Sequence, residues 1–182
     1  KWKSKSNKPV LLYAGTMGFV NNPYLFIDLI KLIHSMPKIR LILCISGKFS
    51  NMVLREIKNQ DLLFNFPFSS KSVLPYIYQN ADCGVSFVRS IKCLFANSAN
   101  KYFDSLASGK PVLINHYGWQ YKELIKKKCG LYLDQHNLLE SYENLSNLLN
   151  NKKIIKEMSK NALALSRKYN SEKLLLKLNK YL

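Results

Sequence analysis

The chain has 182 residues, a formal net charge of +17 and a hydrophobic content of 47%. This length and apolar content suit one soluble domain with a packed core. No uninterrupted apolar run approaches the length of a membrane span, which excludes a bilayer-crossing helix within these residues. Residues 1–8 are basic without the apolar core of a signal peptide, so we expect a linker remnant there and one domain over 9–182.

Lysine supplies almost all of the positive charge. Only four arginines are present, Arg40, Arg55, Arg89 and Arg167, and the lysines are scattered apart from the run 126–128. A nucleic-acid reader favours arginine forks and interleaved aromatic residues on one face. We therefore favour a lysine-rich solvated surface with some attraction to anionic lipid, and place a nucleic-acid site third.

The first half of the chain alternates apolar strands with helices. Strands are predicted at 10–14, 40–46, 62–66 and 83–88, and helices at 50–58 and 72–80. Between the first two strands, Asn22 and Pro23 indicate a helix start. Phe26, Leu29 and Ile33 then recur at helical spacing, which predicts one buried helix face.

The second half is organised around the stretch from Ser98 to Val112. It predicts a polar loop, a short helix capped by Ser98, a left-handed stop at Gly109 and a strand over 112–115. A helix over 118–127, a strand over 131–133 and helices beyond Asn137 are predicted to follow. Breaks in the last helices are expected near 150–151 and 170–171.

This alternation predicts an α/β fold with a doubly wound, mainly parallel, Rossmann-like sheet and extra C-terminal helices. Ligands bind such sheets at the carboxyl ends of the strands. The segments 15–18, 47–48, 88–100 and 115–118 would therefore gather at one edge. A helix start in this place offers backbone N–H groups and a positive dipole end to phosphate, and Asp104 lies within reach of neutral hydroxyls.

The sequence from Ser98 to Val112 resembles the donor-binding motif of family 4 glycosyltransferases of the GT-B fold. The bacterial surface-polysaccharide branch reads roughly Ser-Pro-Asn-Lys, two residues, an acid, then Ala-x-Gly-Lys-Pro-Val. This chain has Ser98-Ala-Asn-Lys101, then Asp104, then Ala107-Ser-Gly-Lys-Pro-Val112. The glycine loop 13–18 and the segments 76–82 and 123–130 are also similar, so the resemblance covers nearly the whole chain.

The resemblance implies the C-terminal, donor-binding domain of a glycosyltransferase, with a nucleotide sugar, expected to be a UDP-sugar, as the donor. Gly15 and Gly18 let the backbone approach a diphosphate, Lys101 supplies charge, and Asp104 accepts hydrogen bonds from ribose. The expected donor-binding residues are Gly15, Thr16, Met17, Gly18, Lys48, Arg89, Ser98, Ala99, Asn100, Lys101 and Asp104. No metal or cofactor is expected.

The chain departs from the family pattern at several positions. Ala96 stands where the broader family has a first acid, and Asp104 replaces the usual glutamate. Thr16 and Met17 occupy a loop that is basic in many members, and Ala99 replaces a proline. These changes bear on the sugar contacts and on catalysis more than on the fold.

The resemblance also implies a partner domain. An N-terminal acceptor domain of the same protein would complete the active site, so this domain is expected to be inactive alone. The net positive charge predicts an anionic membrane surface as a further partner, and we expect a cytoplasmic position on the inner face of the membrane. Two alternatives stay open: a degenerate, non-catalytic nucleotide- or partner-binding module, and a basic protein that binds nucleic acid or lipid. His116 is open to packing or to a place in the sugar pocket.

Overall fold

The structure is a computed structural model and describes residues 6–58, 61–66 and 72–170, together with 175 and 179. Residues 1–5 of the predicted linker lie outside this part of the chain. The predicted helical tail from 171 onward also lies outside it, apart from 175 and 179.

Six parallel strands form one sheet in the order β3-β2-β1-β4-β5-β6. They are β1 Val10–Thr16, β2 Arg40–Ser46, β3 Leu63–Asn65, β4 Cys83–Ser86, β5 Val112–Ile114 and β6 Gly130–Tyr132. The chain runs outward from β1 to β3, then crosses back to place β4 on the other side of β1. This confirms the doubly wound, parallel α/β prediction.

Helices connect and cover the strands. They are α1 Pro23–Ser35, α2 Ser50–Leu54, α3 Leu74–Gln79, α4 Asn100–Ala107, α5 Trp119–Lys126, α6 Leu138–Asn150 and α7 Lys152–Ser166. Short 3-10 turns lie at Phe19–Asn21, Lys92–Ala96 and Arg167–Tyr169. The predicted break at 150–151 is confirmed, and Gly109 has the predicted left-handed backbone, with φ of 64°.

The sheet is buried on both faces, as its continuous apolar strands predict. Leu11 and Tyr13 of β1 pack on the side of α1 and α6. Leu12 and Ala14 of the same strand pack against Ile77 of α3 on the other side. The period-two alternation of the strand therefore sorts its side chains into two cores.

The C-terminal ends of β1 and β4 differ most from the predicted strand boundaries, by two residues each. β1 was expected to end at Ala14, but it continues because Gly15 and Thr16 still pair with β2. β4 was expected to reach Val88, but it ends at Ser86. The Asn115 side chain accepts a hydrogen bond from the Val88 N–H at 3.0 Å and donates one to the Val88 carbonyl at 2.8 Å. These two bonds replace strand pairing at Val88.

Among the helices, the end of α2 and the N-cap of α4 also differ from the prediction. The predicted helix over 50–58 ends at Leu54, since Glu56 and Ile57 donate to carbonyls only three residues back. α4 has Ala99 rather than Ser98 at its N-cap, and no side chain caps it. The backbone N–H groups at its start therefore lack a side-chain cap.

A carboxylate at the centre of an aromatic cluster holds the end of α7 in place. Glu123 of α5 accepts hydrogen bonds from the hydroxyls of Tyr102 and Tyr169 and pairs with Lys168. Burial raises the pKa of Glu123, but these donors outweigh burial and hold the pKa below its ordinary value. The C-terminal helices thus depend on the same helix pair, α4 and α5, that flanks the carboxyl edge of the sheet.

Candidate functional site

A crevice is expected between β1 and β4, because the strand order reverses there. β1 leads to α1 on one side of the sheet, and β4 leads to α4 on the other. Ligands of doubly wound sheets bind outside the carboxyl ends of the strands at this switch point. The loops after Thr16 and after Ser86 lie at this switch point, and α4 begins beside it.

The loop after β1 is braced against the loop after β2. The Met17 N–H donates to the Ser46 carbonyl at 2.7 Å, and the Met17 carbonyl accepts from the Phe49 N–H at 3.1 Å. The Met17 side chain is fully buried. Met17 thus braces the two loops through its backbone, and its amide N–H is engaged by Ser46.

Thr16 and Gly18 complete this loop. Thr16 is exposed, and its carbonyl accepts a 2.7 Å hydrogen bond from the Tyr13 hydroxyl. The Gly18 N–H donates to Asn21 Oδ1 at 3.1 Å. Gly15 has φ of 140°, a backbone conformation that residues with a side chain rarely adopt. As a glycine, it has no Cβ atom at this point of the loop.

The start of α4 forms the opposite border. Ser98 and Asn100 are exposed, while Ala99 is buried. Helix geometry leaves the first N–H groups of α4 without carbonyls one turn earlier, so the amides of Asn100 and Lys101 face the N-terminal end of the helix. Together with the helix dipole they make a positive end suited to an anion.

Lys101 joins the two borders. Its side chain is only 8% exposed, and a Cβ built on Gly15 would lie 3.4 Å from its Nζ atom. Nζ also lies 5.0 Å from the centre of the Tyr13 ring. Burial lowers the pKa of Lys101 to about 8, although the Asp104 carboxylate acts in the opposite direction.

The remaining predicted residues lie at different depths. Asp104 is half-buried, one turn after the helix start and near the Lys101 charge. Arg89 is half-buried, with its guanidinium carbon 3.7 Å from the centre of the Phe19 ring and its N–H bonded to the Val20 carbonyl. Lys48 is exposed after β2. Arg89 therefore joins the loop after β4 to the segment after the glycine loop.

An amide network that the sequence reasoning missed fixes four loops at this edge. Besides holding Val88, the Asn115 amide donates to Gln135 Oε1 at 3.4 Å, and Asn22 donates to the same oxygen at 3.2 Å. These residues follow β5, β6 and β1. The sequence indicated this network only weakly, because single polar residues follow the strands and no pattern relates Asn22 to Gln135.

His116, directly after Asn115, is buried beneath the turn Lys92–Ala96. Its ring centre lies 5.7 Å from that of Phe95, with the planes inclined by 32°. Burial lowers the pKa of His116 to about 4, so the imidazole is neutral at physiological pH. The structure brings this residue to the same edge as the predicted site.

Within the described ranges, no group of three histidine, cysteine or carboxylate side chains could hold a metal ion. Among the helices of the same residues, none is both long and apolar enough to cross a bilayer.

Solved structures similar to this chain share its fold. Sucrose-phosphate synthase from Thermosynechococcus elongatus has a TM-score of 0.77 and 16% identity, over 96% of this chain and 45% of that one. A mutant of S. aureus TarM in complex with UDP and other ligands has a TM-score of 0.70 and 16% identity, over 93% of this chain. The C-terminal domain of LpcC from Francisella tularensis has a TM-score of 0.67 and 15% identity, over 92% of this chain.

The extent of these matches differs between them. The chain spans 34% of the TarM chain but 89% of the LpcC domain. None of the curated proteins compared with it matches its sequence. The family model of the glycosyl transferases group 1 matches residues 1–164, most of the chain. With its doubly wound sheet, whose strand order reverses between β1 and β4, this chain belongs to the group 1 glycosyltransferases, as a Rossmann-like half of the GT-B fold.

Proposed function

We propose that this chain binds the nucleotide-sugar donor, a UDP-sugar, of a glycosyltransferase that acts on a surface-polysaccharide or lipid-linked acceptor. The observation that carries the proposal is the Lys101 ammonium, buried against Gly15 at the β1–β4 switch point. Burial of a lysine is unfavourable unless an anion compensates it. A diphosphate between Gly15 and the start of α4 would supply that anion.

The surrounding groups fit the rest of a nucleotide sugar. Asp104 would accept hydrogen bonds from the ribose hydroxyls, which are neutral and so suit a carboxylate beside a cationic phosphate site. Arg89 and Lys48 lie after β4 and β2 and would add positive charge at the rim. Ser98, Ala99 and Asn100 would contribute through the backbone at the helix start.

Two similar structures support this assignment. The TarM mutant is in complex with UDP, and WaaG, with a TM-score of 0.65 and 15% identity over 91% of this chain, is a glycosyltransferase involved in lipopolysaccharide biosynthesis. Because the chain spans only 34% and 45% of those two chains, an N-terminal acceptor domain is part of the proposal, and the isolated domain is expected to be inactive.

The proposed chemistry needs no metal or cofactor from this chain. As the bond between the sugar and the diphosphate breaks, negative charge grows on the departing diphosphate. The Lys101 ammonium and the amides at the start of α4 are fixed in place, so they would stabilise that charge without reorganising. The exposed run 126–128 would attract an anionic membrane, which suits a cytoplasmic, peripheral position and a lipid-linked acceptor.

A degenerate module that binds nucleotide without catalysis is the second candidate. Ala96 favours it, because this exposed position offers no side-chain acceptor where the broader family has an acid. Sugar transfer by the full-length protein distinguishes the two candidates. A protein that binds UDP but transfers no sugar to any acceptor would favour the degenerate module.

Asp104→Ala tests the ribose assignment. If the carboxylate binds ribose, the wild type should bind UDP about tenfold more tightly than 2′-deoxy-UDP, and the variant should bind both alike. Calorimetric titration with the two nucleotides measures both ratios. The ratio is more informative than the affinity, since removing a carboxylate also reduces its repulsion of phosphate.

Glu143→Ala is the matched control for Asp104→Ala. Glu143 is an acidic residue of α6 that pairs with Lys38 near the opposite edge of the sheet, so its loss should keep the preference for ribose. An Asp104→Ala variant that still prefers UDP over 2′-deoxy-UDP would rule out this role for Asp104.

A further inference from the structure

Two buried side chains after β5 have polar atoms without partners. His116 and Gln120 are each 1% exposed. Among the described residues, neither ring nitrogen of His116 nor Nε2 of Gln120 has a hydrogen-bond partner, and the buried Ser86 hydroxyl at the end of β4 shares this state. Such groups are uncommon and destabilise a fold, so their presence at a ligand-binding edge calls for a function.

The turn Lys92–Ala96 forms a roof over His116. The Phe95 ring lies over the imidazole, and Gly118 packs so closely beneath that a Cβ built on it would lie 2.2 Å from the Phe95 carbonyl oxygen. The Trp119 indole N–H reaches the Ala96 carbonyl at 3.4 Å, at the long limit of a hydrogen bond. Gln120 follows in the first turn of α5.

The roof leads directly into the proposed phosphate site. Its backbone bonds from Leu94 to Ile91 and from Asn97 to Leu94 are internal to the turn. A shift of the turn would therefore preserve these two bonds and break only the long Trp119–Ala96 bond while it uncovers the imidazole. Three residues after Asn97, α4 begins with the amides assigned to the diphosphate. A group attached to that diphosphate would lie next to the roof.

The chemistry of these side chains indicates a neutral ligand rich in hydroxyls. The imidazole is uncharged, with one donor and one acceptor nitrogen, and the Gln120 amide has two donor hydrogens. These two side chains therefore carry no positive charge that would attract an anion. Phe95 and Trp119 add aromatic surface for the apolar C–H face of a sugar ring.

We propose that His116 and Gln120 form the subsite that binds the hydroxyls of the donor sugar, reached when the turn Lys92–Ala96 moves aside. This inference rests on the proposed function, because it needs a nucleotide sugar at the start of α4. The subsite also explains how the chain could bind a sugar without the acid that Ala96 replaces. Ala96 lies in the roof, and His116 and Gln120 would provide the polar groups in place of that acid.

His116→Phe and Gln120→Leu test the subsite, because both replace a polar group by an apolar one of similar size. The probes are UDP and a panel of UDP-glucose, UDP-galactose and UDP-N-acetylglucosamine, titrated by calorimetry. We expect each variant to bind the preferred UDP-sugar about fivefold to tenfold more weakly, with UDP affinity within about twofold of wild type. His136→Phe, at an exposed histidine after β6, is the control and should change neither affinity.

Thermal unfolding gives a second readout. Removal of an unpartnered buried polar group should not destabilise the fold, so His116→Phe should melt at or above the temperature of the wild type. A histidine needed for packing alone would show a lower melting temperature and an unchanged UDP-sugar affinity, which contradicts the proposal. If His116→Phe does not fold, Gln120→Leu decides by the same criterion.

The titration separates this inference from the function on which it rests. Wild type that binds UDP, with variants that keep full UDP-sugar affinity, would overturn the subsite alone. Wild type that binds no nucleotide would overturn the proposed function and the subsite with it.

Discussion

Lys101→Met is expected to weaken UDP binding by about a hundredfold, because a charge-assisted contact to phosphate contributes roughly 1.5–3 kcal/mol. Methionine keeps the length of the side chain but removes its charge. The same change should stabilise the unliganded fold by roughly 2–3 kcal/mol near neutral pH, since burial lowers the pKa of Lys101 from 10.5 to about 8. Opposite effects on binding and stability distinguish a ligand-binding lysine from a structural one.

The pH dependence of Lys101 has a defined sign. Between pH 8 and 10.5 the unfolded chain keeps the lysine proton that the folded chain has lost, so the stability of the wild type should rise through this window. UDP affinity should fall over the same range, because binding then requires a proton to be taken up. Lys101→Met should lack both changes.

Titration calorimetry and thermal unfolding at pH 7, 8 and 9.5 measure these effects. Lys31→Met, at an exposed lysine of α1, is the control and should behave as wild type. Equal UDP affinity in Lys101→Met and wild type would contradict the phosphate assignment. A large loss of stability in Lys101→Met would instead identify Lys101 as a structural residue.

Gly84→Ala is expected to destabilise the fold by roughly 3 kcal/mol, at the upper end of what overpacking costs. A Cβ on Gly84 would lie 2.0 Å from Ser105 Oγ and 2.7 Å from Ser105 Cβ. Ser105 cannot turn away freely, because its hydroxyl bonds to the Lys101 carbonyl at 2.7 Å and to the Tyr78 hydroxyl at 3.2 Å. The new methyl group should therefore push α4 away from β4.

Chemical denaturation measures the loss, and Gly84→Ala combined with Ser105→Gly is the control. The second change removes the clashing atoms and should recover most of the stability, less about 1 kcal/mol for a glycine in a helix. A Gly84→Ala variant as stable as the wild type would show that β4 and α4 are not in this close contact. UDP affinity should fall with the displacement of α4.

The order of the elements was predictable from the sequence because apolar runs and glycine or proline punctuation are local signals. The close approach of α4 to the sheet at Gly84 was not, since it depends on a residue 21 positions away. The end of β4 was missed for a similar reason: the side chain of Asn115, directly after β5, hydrogen-bonds the backbone of Val88. Boundaries set by side chains from distant strands leave no local pattern.

The candidate site, too, was predictable from the sequence only in part. The motif from Ser98 to Val112 predicted Lys101 and Asp104 as donor-binding residues, and both lie at the carboxyl edge of the sheet. The burial of Lys101 against Gly15 joins residues 86 positions apart, and no spacing rule predicts it. The hydrogen bond from the Met17 amide to Ser46 was equally unpredictable, because it depends on the pairing of β1 with β2.

Titration of this chain with UDP, GDP, ADP and NAD tests the central assignment most directly, because the four ligands share a diphosphate and differ in what is attached to it. We expect UDP to bind most tightly to the wild type and to bind about a hundredfold more weakly to Lys101→Met. A preference for NAD, or the absence of binding by all four, would contradict a nucleotide-sugar site at the start of α4.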